Sequence, residues 1–124
     1  MSILKNSFSK AERICSDIEI NLIYKTGTSF LQHPLVIYSI ADPELKHSKV
    51  LVSVSKRKFK RAVDRNLLKR RIREAYRLNK TLLEKNYLLA FVYVGNDLLP
   101  YTKIEKQLVA GLQKLNNPEG TSAG

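Results

Sequence analysis

Twelve of the 22 basic residues lie between Lys56 and Lys80, against two carboxylates, Asp64 and Glu74. A net charge of +10 is thus concentrated in 25 residues of a 124-residue chain whose total is +11. Guanidinium and ammonium groups at that density hold phosphates, Arg through two parallel hydrogen bonds and Lys as a point charge. The groups needed to break a bond are missing from the same stretch. Asp64 and Glu74 are set among arginines, where ion pairing rather than proton transfer is expected. His33, His47 and Cys15 are too scattered to ligate a metal. The residues describe a phosphate-binding surface, with no catalytic residue and no metal site of its own.

The basic run is not a solvated tail. Ala62, Val63, Leu67, Leu68, Ile72, Ala75 and Leu78 interrupt it at helical spacing, which predicts an amphipathic helix over about Ala62–Asn79. At about 100° per residue, Asn66, Lys69, Arg70, Arg73 and Arg77 share one stripe about 100° wide. Leu67, Leu68, Ile72, Ala75 and Leu78 take the opposite arc as a core face, broken only by Arg71. A charged helix face is ordinarily balanced by ion pairs one turn apart, and here Glu74 alone can pair within the helix body. The stripe therefore calls for an external polyanion, and Lys56, Arg57, Lys58, Lys60, Arg61 and Arg65 extend it at the N-terminal end. A membrane-bound helix would set Trp, Phe or Leu beside its cations, whereas the apolar side of this one is committed to a sheet. No helix-turn-helix or zinc-finger frame for DNA is visible. RNA, recognised by shape and phosphate, fits a helix backed by strands.

The elements that must position this surface are legible in outline. SDIE at Ser16–Glu19 has capping-box form, with Gly27 as the C′ stop, so a short helix over about Asp17–Lys25 is expected. Ile14, Ile18 and Leu22 should face its core, while Ile20 and Tyr24 form a separate apolar pair. TSFLQH (Thr28–His33) and LVIYSI (Leu35–Ile40) flank Pro34 and read as two short strands or one broken edge strand. DPELKH has turn composition, and KVLVSVS (Lys49–Ser55) follows, so a hairpin is the simplest connection. YLLAFVYV (Tyr87–Val94) is the third strong strand. In PYTKIEKQLVAGLQKL a second capping box, Thr102 with Glu105, precedes a buried stripe of Ile104, Leu108, Val109, Leu112 and Leu115.

With 44% hydrophobic residues the chain fits one domain, placed at residues 1–115, and NNPEGTSAG leaves a mobile tail over 116–124. No apolar run of about 18 residues is present, and MSILKNSFSKAER lacks the unbroken apolar region and small-residue cleavage site of a signal peptide, so neither membrane insertion nor Sec secretion is expected. A single cysteine suits a reducing compartment, and the expected location is the cytoplasm.

The string KRKFKRAVDRNLLKRRIREAYR, Lys56–Arg77, closely resembles the signature of the bacterial ribonuclease P protein component, A-V-x-R-N-x-x-K-R-x-x-R. Its fixed positions fall here on Ala62, Val63, Arg65, Asn66, Lys69, Arg70 and Arg73. KTGTSF near Gly27, SVSK at Ser53–Lys56 and the strand-helix ending also look like that family, so the resemblance covers about residues 10–115. It implies an α+β fold, a two-layer α-β sandwich ordered helix, strands, basic helix, strand, helix. It also implies a left-handed β-α-β crossover, where the general rule would draw a right-handed one. In function it implies a non-catalytic subunit. A large RNA removes the 5′ leader of precursor tRNA using magnesium, and the protein, binding no cofactor alone, holds that RNA and the leader. Tyr24 and Tyr38 match positions lining the family's leader cleft, where aromatic faces stack unpaired bases; Ile20 stands where the family usually has an aromatic. The chain departs from the family in lacking a glycine just before Ala62 and in carrying one extra residue in KRKFKR. Composition alone fits a structural RNA-binding protein such as a ribosomal one equally well; the spaced motif separates the two.

Overall fold

Six of the seven residues of Tyr87–Tyr93 are buried, and only Val92 is half-exposed. A strand with no polar face must be covered on both sides and flanked on both edges, and that requirement arranges the rest of the chain. The computed structural model describes residues 13–14 and 17–116. Its elements are α1 (Asp17–Thr26), β1 (Thr28–Gln32), β2 (Leu35–Ala41), β3 (Lys49–Val54), α2 (Ala62–Asn79), β4 (Tyr87–Tyr93) and α3 (Tyr101–Asn116), with a 3-10 turn at Lys80–Leu82. Pro34 sits in a two-residue turn between β1 and β2, so the two-strand alternative holds, and β1 is the edge strand.

The sheet order is β1-β2-β4-β3. β2 and β3 are therefore not a hairpin, contrary to the expectation from the DPELKH turn. β4 lies between them, antiparallel to β2 and parallel to β3, and α2 carries the parallel crossover. The physical reason is the two-sided apolarity of β4, which gains more from a central place than β3 gains from a local turn. The turn segment is pinned to the start of β4 instead: Asn86 Nδ2 donates to the Leu45 carbonyl at 2.7 Å and the Tyr87 amide to Ser48 Oγ at 3.0 Å.

Alternation assigns the two faces. Leu35 and Ile37 of β2, Val52 and Val54 of β3, and Leu89, Phe91 and Tyr93 of β4 face α2 and α3. Leu88 and Ala90 face the other way and bury Ile14 and Ile23, with Ile20, Tyr38, Ile40 and Leu51 at the margin. On α1 the buried residue is thus Ile23; Ile18 is 79% and Leu22 43% exposed, so the predicted Ile18/Leu22 core face is corrected. The i,i+4 series from Ile14 fails because Ile14 precedes the helix, in a bridge to Val50. On α2 the core face is Leu68, Ile72, Ala75 and Tyr76. Leu67 is only half-buried and Leu78 is exposed, because both lie at the edge of the arc.

The ends of the helices differ from their sequence signals. α3 begins at Tyr101, and the Lys103 and Ile104 amides donate to the Pro100 carbonyl, so Thr102 is inside the helix and no capping box forms there. Glu105 reaches α2 instead: its Oε2 accepts from Asn79 Nδ2 at 3.0 Å and from the Tyr101 hydroxyl at 3.0 Å. The stripe of α3 is Ile104, Leu108, Gly111, Leu112 and Leu115, with Val109 half-buried. Asn116 is still helical, its side chain accepting from the Glu84 amide at 2.9 Å. The capping box at Ser16, Cys15 and the tail beyond Asn116 lie outside the described residues.

Gly27 ends α1 without a left-handed conformation. Its need for glycine is spatial, since a Cβ there would stand 2.5 Å from the Ile23 carbonyl oxygen and 3.3 Å from that of Ser39. Gly27→Ala is expected to destabilise the fold by about 1–3 kcal/mol, as overpacking does, read from the urea midpoint at unchanged slope.

A second expectation concerns alkaline pH. Burial first, then the hydrogen bond to Glu105, pushes the Tyr101 phenol up to about 12, against about 10 in the unfolded chain. The fold favours the protonated form, so this stabilisation is complete below pH about 10 and is lost as pH rises toward 12. Tyr101→Phe should show a shallower decline of the denaturation midpoint over that interval than the parent.

Candidate nucleic-acid interface

α2 turns its polar stripe away from the sheet, because Leu68, Ile72, Ala75 and Tyr76 are committed to the core. Asn66, Arg70, Arg73 and Arg77 from that stripe line a concavity of about 360 Å³, joined by Glu74 and by Arg13. Arg13 comes from outside the helix. It is placed by the strand-like bridge to Val50, in which the Ile14 amide donates to the Val50 carbonyl at 3.0 Å. Lys69 is half-buried and does not line the concavity.

The electrostatics of the concavity suit an oxyanion. Burial, and secondly the Arg13 guanidinium, lowers Arg73 below the usual arginine range. Arg77 is instead held above that range by its hydrogen bond to Glu74. Two guanidiniums that raise each other's free energy across a concavity are relieved by an anion placed between them. A phosphate diester has the charge and the acceptor oxygens to do so.

The other predicted basic residues divide by direction. Arg65 Nη1 donates to the Phe59 and Lys60 carbonyls at 2.8 and 2.9 Å. Arg71, the intruder on the core arc, donates to the Leu99 carbonyl. Lys58 Nζ donates to the Val94 carbonyl at 2.6 Å. Lys56, Arg57, Lys60 and Arg61 are exposed on the loop that leads into α2.

The aromatic residues meet on the opposite face of the sheet. The Tyr24 and Tyr38 rings are 4.9 Å apart at 80°, edge to face. Tyr24 is 41% exposed, and burial, then the neighbouring Tyr38, raises its phenol above the ordinary value. Ile20 packs against the Ile14/Ile23 cluster and is only half-exposed. That cluster stops at the Tyr38–Ala90–Leu51 row; the next row, Val36–Val92–Ser53, is half-exposed, and Leu31 beside it is 61% exposed. Sequence reasoning missed Arg13, which no local pattern marks, and this open row. Its one signal was that both faces of β2 and β4 are apolar.

Among the described residues no group of three or more His, Cys, Asp or Glu could hold a metal, and no helix is long and apolar enough to cross a membrane. Asp64 and a Glu74 already bonded to Arg77 do not make a magnesium site.

Comparison with known proteins gives a consistent result. The family model described as Ribonuclease P matches residues 8–116. A ribonuclease P protein component from Porphyromonas gingivalis is 37% identical over 124 residues, covering 93% of this chain and 90% of that protein. One from Streptococcus agalactiae is 35% identical over 100 residues, covering 81% and 90%. Among solved structures, the RNase P protein of Staphylococcus aureus superposes with a TM-score of 0.74 at 28% identity, covering 87% of this chain and 97% of that one. That of Thermotoga maritima, at 22% identity, shares the fold with a TM-score of 0.74 over 83% and 96%.

If the concavity holds RNA phosphates, log K for RNA should fall by roughly 0.7–0.9 per contact for each tenfold rise in salt. Arg70→Ala and Arg73→Ala should each flatten that slope by about one contact. Slopes equal to the parent's in both variants would place the RNA elsewhere.

Proposed function

This chain belongs to the ribonuclease P protein family and is a protein component of that tRNA-processing ribonuclease, and from this premise we propose how its surfaces are divided. The arginine concavity on α2, with Arg13, binds the catalytic RNA. The Tyr24/Tyr38 cleft and the open sheet row beside it bind the 5′ leader of precursor tRNA. Magnesium supplies the hydrolytic chemistry while held by RNA, since the carboxylates among the described residues are not grouped into a site for it. Its own residues bind and orient: arginines neutralise phosphates that would otherwise repel one another, and tyrosine faces take unpaired bases without demanding a sequence.

The observation that carries this division is the edge-to-face Tyr24–Tyr38 pair, part-exposed beside an apolar row on the face opposite α2. Two surfaces on opposite faces of one sheet can be occupied at once. A protein serving only as RNA scaffold needs the first surface and has no use for the second.

Tyr24→Ala and Tyr38→Ala should each weaken binding of leader-bearing precursor by about 1–3 kcal/mol in the reconstituted complex. Mature tRNA binding and assembly with the RNA should stay at parent values. Thermal melts accompany the measurement, because a lower melting temperature with an unchanged precursor-to-mature ratio would make these tyrosines core residues and overturn the assignment.

A further inference from the structure

We propose that the cavity between the edge strand β1 and the C-terminal turn of α3 is a nucleotide pocket, in which a single base stacks on Phe30 and its phosphate is held by Lys85 and Lys114. It shares no residue with the arginine concavity or with the Tyr24/Tyr38 pair.

The cavity follows from a change of side-chain size along the sheet. On the face turned to α3, β1 and β2 pair Phe30 with Ile37 and, two residues on, Thr28 with Ser39. At the large pair α3 comes close, since a Cβ on Gly111 would collide with Ile37 Cδ1 and stand 3.8 Å from Phe30 Cε2. The small pair leaves room under the last turn of α3, and a space of about 680 Å³ opens there, the size of an ordinary ligand pocket. Its walls are held from both sides. The Tyr87 hydroxyl donates to the Leu115 carbonyl at 3.0 Å, while the Asn116 side chain accepts from the Glu84 amide at 2.9 Å and donates to the Leu82 carbonyl. Walls fixed in advance lose little freedom when the space is filled.

Three kinds of group meet in this space, and together they select the occupant. Phe30 is half-buried, and Lys114 Nζ stands over its ring, 5.6 Å from the centroid. A base that takes the ring face displaces the ammonium by rotation of a flexible side chain, and a phosphate on the same ligand gives the ammonium a new partner. Thr28 and Ser39 supply hydroxyls, their oxygens 3.3 Å apart, and Ser29 adds a third. A hydroxyl both donates and accepts, which suits ribose hydroxyls and base edges alike. Lys85 is exposed at the rim, and its side chain makes no hydrogen bond or ion pair with another described residue. Two lysines against Glu84 leave one net positive charge here, whereas four arginines against Glu74 leave three in the concavity of α2. One charge matches one phosphate. The aromatic face sets a nucleotide apart from a bare anion, and the cations set it apart from an uncharged aromatic.

The test is a calorimetric titration of the whole chain with adenosine 5′-monophosphate, adenosine and inorganic phosphate. The monophosphate should saturate one site and bind about tenfold more tightly than adenosine, the worth of one charge-assisted hydrogen bond. Phe30→Leu should weaken both alike by about fivefold or more, the loss of one stacked base. The Lys85→Gln/Lys114→Gln double variant should leave adenosine at the parent's affinity and bring the monophosphate down to it. Arg70→Ala/Arg73→Ala, which disables the other basic site, should change neither. Should Phe30→Leu fail to fold, the lysine pair, which lies outside the core, decides through the monophosphate-to-adenosine ratio. The complex reconstituted with a bacterial ribonuclease P RNA distinguishes two sources of the nucleotide. A free nucleotide is bound by the complex as by the chain alone. A nucleotide of the RNA blocks the added monophosphate and makes assembly or precursor binding about fivefold weaker in Phe30→Leu. Phosphate binding as tightly as the monophosphate, absence of saturation, or an affinity that falls with Arg70→Ala/Arg73→Ala and not with Phe30→Leu would overturn the proposal and leave the cavity a packing defect.

Discussion

The fold depends on the requirement that β4 be dry on both faces. Tyr87, Leu89, Phe91 and Tyr93 call for one apolar layer and Leu88 and Ala90 for another. α2 and α3 together supply the first with long stripes, and the shorter α1 supplies the second through little more than Ile23 and Ile20, aided by Ile14. The imbalance has a geometric result. Ten residues of helix, about 15 Å long, cannot cover the whole sheet face, and the uncovered row, Val36–Val92–Ser53, lies next to the row that holds Tyr38 and its ring partner Tyr24. The same strand position forces the parallel crossover that places the basic helix outside β3 and within reach of Arg13.

Basic residues near one another in sequence are given two different tasks. Arg65, Arg71 and Lys58 donate to backbone carbonyls of neighbouring segments, joining the loop before α2 and the segment before α3 to the rest of the fold. Tyr93 extends the same network, its hydroxyl donating to the Asp97 carbonyl at 2.6 Å. Arg73, by contrast, is turned to the concavity, where burial first and the Arg13 guanidinium second lower it below the usual arginine range. Carbonyl-bonded cations brace the frame on which the residues of the concavity stand.

Much of this was legible in the residues. α2 runs Ala62–Asn79 as its periodicity indicates, and four of the five residues of its polar stripe gather around one concavity. Tyr24 and Tyr38, fourteen positions apart, do meet. What was not legible has a common cause, namely that it is decided by distant partners. Strand order turned on β4 competing for the centre, which no turn signal reports. Ile23 rather than Ile18 is buried because the sheet approaches α1 from one side only. Glu105, which by spacing should close its own helix, bonds Asn79 on another. Arg65 carries a motif position that reads as an RNA contact, yet its hydrogen bonds go to Phe59 and Lys60, which could not be seen without the loop's path.

The bridge between Arg13 and Val50 lies along the outer side of β3, an edge strand whose remaining backbone groups have no neighbouring strand among the described residues. An open edge invites a second copy of the same chain to add its own strand. Here such a copy would have to bring another +11 against Arg13, Lys49 and the basic face of α2. Charge gathered for recruiting RNA thus also serves as a colloidal guard. Bound RNA would neutralise that charge, so the repulsion belongs to the protein on its own.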